Sequence, residues 1–349
     1  MTPLRFPIAA ACLALGVSQL AFAQDVTITP LGVVDGEFCV GDRALLFEDP
    51  TGVRVLIAPG RTVNGSGDAR LPSASASDGG VHVVLIDHPH TDHIGDVRHT
   101  NCAGTTTAAF AFPSSGNAPE IAARHNSVVA VGGEMSSFFA QKIKDVTGGA
   151  LAPSCPVVVS GLDNNITVPR TSACVQTLRG GTVQIVKSGQ TAGVRVTTIP
   201  AFHASGAAPI HVDQNDDVPG VAPGLTGYMG SETGYIMQFS NGLTVLWTGD
   251  SGLIGDWATQ SAFYRPNLAV VHADGLFTMA PREGAFAVNF LIRPRTVIPE
   301  HMNQVSTSGG QVVANTRLDF FIQNVHQAKV MLPLSGRKIF CNGQGDCRN

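Results

Sequence analysis

Residues 84–93 read Val-Leu-Ile-Asp-His-Pro-His-Thr-Asp-His: an apolar run passes directly into three histidines and two aspartates. No other stretch constrains the fold as much. A short apolar run suits a buried strand, and a buried strand cannot carry unpartnered polar groups in its interior. The spacing H-x-H-x-D-H (His88, His90, Asp92 and His93) must therefore sit where the strand ends, facing something that satisfies it. Imidazole and carboxylate are common ligands of first-row metals. In an extended or turning segment His88 and His90 point the same way and reach one ion. Asp92 and His93 follow as the chain turns and reach a second. The alternative is an exposed polar loop that happens to contain histidines. Ligand type, density and strand context argue against it.

Three later apolar runs end in the same residue types. Val194–Ile199 leads to His203, Leu243–Trp247 to a Thr-Gly-Asp turn at Asp250, and Thr296–Ile298 to His301. A lone histidine after an apolar run is commonly a satisfied structural residue. The order of all seven is what carries information.

Taken together, the motif and its downstream partners resemble the signature of the metallo-β-lactamase superfamily, from about Leu31 to Gly336. The resemblance implies an α/β fold, a four-layer αββα sandwich of two mixed sheets. It assigns His88, His90 and His203 to a first metal and Asp92, His93 and His301 to a second, with Asp250 bridging. Two neighbouring divalent ions share a bridging water and lower its pKa, and they polarise a substrate oxygen. The resemblance also gives Asp92 a catalytic role, orienting the hydroxide or taking a proton. Zinc is the default for a His-rich site, with Mn²⁺ or Fe²⁺ as alternatives.

Residues Leu268–Ala287 and Arg293–His301 are similar to the tail of the ascorbate-phosphate-lactonase-like metal-dependent hydrolases, with a Phe-Thr-Met-x-Pro turn and an Ala-rich helix. Two features depart from that group. Asp87 stands where Thr or Ser usually precedes the first ligand, and His272 and Asp274 stand where an apolar, Gly-rich turn is common. The relatives' substrate is therefore not carried over. The implied activity is hydrolysis of a small ester, lactone or amide. The alternatives are a phosphoester hydrolase, a β-lactamase and a non-hydrolytic metal-binding member. A bridging Asp250 argues against a class B β-lactamase. No Gly-x-Ser-x-Gly elbow joins a strand to a helix, which leaves a serine hydrolase without its nucleophile.

Residues 1–23 read as a secretory signal peptide: Arg5, an apolar run from Ile8 to Leu20, and Ala21-Phe-Ala23 for cleavage. The expectation is a periplasmic or secreted protein starting at Gln24, with no membrane span in the mature chain. An uncleaved anchor is the alternative, but the run is short for a bilayer. Six cysteines lie beyond Cys12, an even number that fits disulfides in an exported protein. Proximity favours Cys341 with Cys347 and Cys155 with Cys174, which leaves Cys39 with Cys102. Buried free thiols or sulfur ligands remain the alternative.

The net charge of −4 and a charged fraction of 14% argue against a nucleic-acid surface. Arg293 and Arg295 are the clearest basic pair near the expected site. The implied partner is a small molecule; oligomeric state is not legible. Hydrophobic content of 44% can bury a large core in one elaborated domain over residues 24–349.

Strands are expected at 53–57, 81–86, 128–131, 183–186, 194–199, 235–239, 243–247, 268–271, 296–298 and 330–332, mostly β-branched. Asn241-Gly242 reads as a hairpin turn. Helices are expected at 118–124, 134–146, 282–291 and 311–325; in the second, Phe138, Phe139 and Ile143 share one face. Asp87 is a candidate to hold a ligand histidine, and His82 reads as structural. Residues 62–80, rich in Ser, Gly and Ala, read as a surface loop. Residues 204–234 form a second insertion directly after His203, with His211, Asp213, Asp216, Asp217, Tyr228 and Glu232. A loop beside a metal site is where substrate is usually read. His211, Tyr228, Glu232 and His272 are accordingly the candidate substrate contacts.

Overall fold

In the computed structural model, residues 24–75, 77–212 and 227–349 are described. The expected signal segment and Asp213, Asp216 and Asp217 lie outside them.

Two large mixed sheets face each other. The first runs, edge to edge, through Cys174–Leu178, Val128–Gly132, Val83–Ile86, Arg54–Ile57, Leu45–Glu48, Val26–Pro30, Ile339–Cys341 and Cys347–Arg348. The second runs through Lys329–Val330, Thr296–Glu300, Leu268–His272, Thr244–Trp247, Thr233–Gln238, Gly193–Pro200, Thr182–Lys187, Asp163–Val168 and Val158–Ser160.

Side-chain alternation explains the layering. In Val83–Ile86 every residue is buried, but on two different faces. Val83 and Leu85 join the core between the sheets, with Val183, Val196, Met237, Trp247 and Val270 from the facing sheet. Val84 and Ile86 pack outward on helices Asn117–His125 and Met135–Thr147, through Ile121, Phe138, Phe139 and Ile143. The second sheet does the same: Leu246, Ala269, Val271 and Val297 meet Trp257, Val288, Leu318 and Phe321 from its own covering helices. Three apolar cores separate four layers, which is the expected αββα sandwich.

One buried polar tie crosses the sheet gap. The Tyr235 hydroxyl donates to the Ile86 carbonyl at 2.6 Å, and Thr233 N–H donates to the Asp87 carbonyl at 3.1 Å. Both fall at the carboxyl end of Val83–Ile86. Strands 83–86 and 128–132 are parallel neighbours in one sheet, as are 244–247, 268–272 and 296–300 in the other. Parallel neighbours end together, so their carboxyl ends gather at a shared edge.

Some elements differ from expectation. The helix expected at 311–325 is a short hairpin, Thr307–Ser308 with Gln311–Val312, followed by helix Arg317–Asn324. Gly309 and Gly310 take positive φ (60° and 72°) to make the turn. Thr316 then starts the helix by accepting from Asp319 N–H at 3.2 Å. Helix Asp256–Tyr264 was not expected, because Trp257 is its one buried residue and no apolar stripe marks it. The helix after Pro281 is α-helical to Phe286 and then π-helical over Ala287–Ile292. Of the expected surface loop at 62–80, residues 62–75 and 77–80 form no strand, but they hold the 3-10 turn Gly65–Gly67 and bury Val63, Asp68 and Leu71, so the segment is partly packed in.

The sulfurs of Cys39 and Cys102, of Cys155 and Cys174, and of Cys341 and Cys347 lie at bonding distance, 2.02, 2.04 and 2.06 Å. Among the described residues no helix is long and apolar enough to cross a membrane.

Candidate metal centre

The seven candidate ligands of the sequence motif meet at the shared strand edge. His88 leaves Val83–Ile86 through Asp87. His90 then starts a single helical turn, Thr91–Ile94, and His93 N–H bonds back to the His90 carbonyl at 2.9 Å. That turn sets Asp92 and His93 beside Asp250 and His301, and the His93 ring also lies against that of His88, with centroids 4.1 Å apart. The turn packs so closely on residue 60 that a Cβ there would fall 1.7 Å from the Asp92 carbonyl oxygen, which is why the position is glycine.

The opposite sheet supplies the other three. His203 follows Gly193–Pro200. Its N–H donates to Glu232 Oε1 at 2.7 Å, and Phe202 N–H donates to the Ser251 hydroxyl at 3.0 Å. Asp250 follows Thr244–Trp247 across Gly249, whose φ is +62°. His301 follows Thr296–Glu300 with φ 53°, a left-handed conformation uncommon for histidine. A strained backbone at such a position is characteristic of functional sites.

Ligand-capable atoms of His88, His90 and His203 form one group, and those of Asp92, His93, Asp250 and His301 another, each within 4.8 Å. Asp250 ties them together. Its Oδ2 lies 3.1 Å from His301 Nε2, 3.3 Å from His93 Nε2, 3.7 Å from His203 Nε2 and 3.8 Å from His88 Nε2. Its Oδ1 is occupied elsewhere, 2.7 Å from His272 Nδ1.

Neighbours fix the ring orientations. Asp87 Oδ1 lies 2.8 Å from His93 Nδ1 and turns the ring so that Nε2 points inward, where a bound cation would take the place of its proton. Asp274 Oδ2 lies 3.4 Å from His301 Nδ1, close enough to attract it but without a hydrogen bond. Asp274 Oδ1 accepts from the backbone of Leu276, Phe277 and Thr278. Asn303 donates to Asp274 Oδ2 at 2.6 Å.

The electrostatics follow from crowding. Burial pulls the His93 pKa down, but the carboxylates of Asp87 and Asp250 outweigh it and push it up to about 9. Burial, then the nearby His88, lowers His90 to about 3. Burial raises Asp250, yet His301, His93 and His272 hold it well below the usual carboxylate range. Asp92 is likewise held low against burial, chiefly by Arg43.

The donor set fits a divalent metal. His88 Nε2 and His301 Nε2 are buried without a hydrogen-bond partner. His301 Nε2 is 3.1 Å from an anionic oxygen and still makes no hydrogen bond to it. Buried lone pairs converging on one region are costly unless a cation shares them.

The four candidate substrate contacts fall in different places. Tyr228, exposed, and Glu232, half-buried, line a cavity of about 530 Å³ together with Arg179 and Ala201. Glu232 also supports the His203 backbone. His272 is corrected: it is fully buried behind Asp250, with Trp247 against its ring, and cannot touch substrate. His211 is corrected too. It is fully buried, with Nδ1 3.0 Å from the Ser114 carbonyl. His82 is structural, accepting from Arg54 N–H at 3.0 Å.

Arg43 was not anticipated. Its side chain is 2% exposed, and Nη1 pairs with Asp92 Oδ2 and lies 3.3 Å from His93 Nε2. No motif marks it; the one hint is a charged residue abutting the apolar run Ala44–Phe47.

A model of the β-lactamase superfamily domain matches residues 39–301. The chain is 29% identical over 262 residues to a UPF0173 metal-dependent hydrolase of Cupriavidus necator, spanning 75% of this chain and 71% of that protein. It is 26% identical over 291 residues to another from a Polaromonas strain, spanning 83% and 84%. Igni18, a metallo hydrolase from the archaeon Ignicoccus hospitalis, superposes with a TM-score of 0.53 over 90% of this chain and 98% of its own, at 20% identity. With candidate ligands grouped at one edge of this fold, and a match spanning most of its length, the chain belongs to the metallo-β-lactamase superfamily.

Proposed function

We propose that this chain is an exported metal-dependent hydrolase of a small ester, lactone or amide, working with two divalent ions, zinc by default. The observation that carries the reading is Asp250 Oδ2, set among the Nε2 atoms of four histidines drawn from both ligand groups. Both similar relatives quoted above bear the name metal-dependent hydrolase.

His88, His90 and His203 would hold one ion; Asp92, His93 and His301 the other, with Asp250 between. When bound, two such ions acidify water and polarise a carbonyl. The chain's own residues supply the rest. Asp87 fixes the ring of His93 and His272 fixes Asp250, while the Asp274 carboxylate lies beside the His301 ring. The Asp92 side chain is 27% exposed while that of Asp250 is 2% exposed. Asp92 is therefore the carboxylate that meets incoming water and substrate, and it holds or takes the proton there. His90 and His203 are partly exposed beside it, so substrate enters from that side. Phe202, 73% exposed next to His203, offers it an apolar surface. Tyr228 and Glu232 read substrate in the adjoining cavity.

Elemental analysis of protein purified without chelator tests the metal reading: close to two divalent ions per chain are expected. A panel of chromogenic esters, lactones, phosphodiesters and a cephalosporin tests the reaction. Turnover that chelator abolishes and zinc restores supports a hydrolase. Metal-loaded protein inert towards every member would favour a binding role instead. Export is supported by the Ala21-Phe-Ala23 pattern and three sulfur pairs at bonding distance. Intact mass should begin at Gln24; six alkylatable thiols in denatured, unreduced protein would overturn it.

A further inference from the structure

We propose that Arg43 is a built-in competitor for the second cation, so that the His88, His90 and His203 group fills first and the Asp92, His93 and His301 group fills later and more weakly. This rests on the two-ion reading above. The argument is one of lone pairs. With Nδ1 turned to Asp87, a His93 that binds a cation has a single lone pair to offer, on Nε2. Arg43 Nη1 lies 3.3 Å from that atom and also pairs with Asp92 Oδ2. A carboxylate oxygen has lone pairs for two partners; an imidazole nitrogen does not. A cation on His93 Nε2 therefore requires Arg43 Nη1 to withdraw.

Withdrawal does not remove the charge. Arg43 Nε donates to the Gly41 carbonyl at 3.2 Å, and Nη2 donates to Asn303 Oδ1 at 3.3 Å. The loop that carries it is pinned by the Cys39–Cys102 pair, by Val40 N–H to the Cys102 carbonyl, and by His99 against Val40. Asp42, which precedes it, has turned its carboxylate onto its own loop, accepting from Val33 and Cys39 N–H, and acts on the guanidinium only through space, without a hydrogen bond or ion pair. The positive charge stays beside the second position and opposes a divalent ion there. Among the described residues, no arginine or lysine is hydrogen-bonded or ion-paired to His88, His90 or His203. The two groups differ in donor set, three imidazoles against two imidazoles and a carboxylate, and in this resident cation; it is the cation that sets the second group at a disadvantage, and its removal isolates that effect.

Co²⁺ titration followed by its visible absorption, with stoichiometry checked by dialysis and elemental analysis, reads this without activity. In the wild type two binding steps should separate by roughly tenfold or more in affinity. Arg43→Met keeps the apolar stem and removes the charge; its second step should tighten by roughly tenfold and approach the first. Arg43→Gln, which keeps a hydrogen-bonding end, should tighten likewise and decides the matter if the methionine variant does not fold. Folded variants whose second step is unchanged or weaker would overturn the proposal. Two equal steps in the wild type would also overturn it while leaving the two-ion reading intact. No bound ion in the wild type or either variant would overturn the two-ion reading itself.

Discussion

At Asp250 the two carboxylate oxygens have separate tasks. Oδ1 is held by His272 at 2.7 Å, and this leaves Oδ2 alone to face four imidazole nitrogens. Asp250→Asn keeps the size and removes the charge between the two groups. At least one ion should bind more weakly, and turnover should fall by roughly a hundredfold or more. Metal stoichiometry alongside kcat/KM checks it, with metal-free wild type as the stability reference; unchanged turnover would mean that the chemistry does not run through this carboxylate. The positions of the ligands were legible because each ends an apolar run, and strand ends are visible in sequence. Their supports were less so. Asp87 could be named because it adjoins His88, whereas Asp274, Asn303 and Arg43 reach the site from turns whose approach depends on tertiary packing. His272 was legible as unusual, yet its place one layer behind Asp250 was not.

Among the elements, the single turn Thr91–Ile94 matters most for its size. Four residues cannot hold a helix by their own hydrogen bonds. The turn persists because it rests on the backbone at Gly60 and because Asn117 Nδ2 donates to the carbonyls of Pro59 (2.5 Å) and Gly60 (3.0 Å) beneath it. Gly60→Ala places a methyl on the Asp92 carbonyl, so the turn must move. Metal binding to the Asp92, His93 and His301 group should weaken more than binding to the His88, His90 and His203 group. Titration of the folded variant checks this, and equal loss at both would point to general unfolding. β-branched runs revealed most central strands. Asp163–Val168 was missed because Asp-Asn-Asn opens it, and it pairs near the sheet edge where polar side chains meet water. The hairpin that replaced an expected helix turns on Gly309-Gly310, a signal present in the sequence but outweighed there by the apolar residues that follow.

Over the whole molecule, the layer order was legible through the resemblance and the interspersed strands and helices; the structure supplies the physical reason, strands apolar on both faces that need cover on both sides. How the sheets meet was not readable, since the Tyr235 bond to Ile86 joins residues 149 positions apart. That meeting has a consequence for mechanics. Four candidate ligands come from the first sheet, after Val83–Ile86, and three from the second. An ion held by both would be a clasp at one edge, beside the Tyr235 and Thr233 hydrogen bonds, of a structure held face to face mainly by apolar side chains. Unclasping it should let that edge breathe while the far strands stay shut. At a free ion concentration a hundred times the dissociation constant, the clasp is worth about 2.7 kcal/mol of stability. Chelation should accordingly lower the melting temperature by several degrees. Amide exchange should quicken at residues 87–95, 248–252 and 301–303 and stay slow in Val26–Pro30. Exchange that rises evenly everywhere, or nowhere, would mean that the ions sit on the fold without holding it closed.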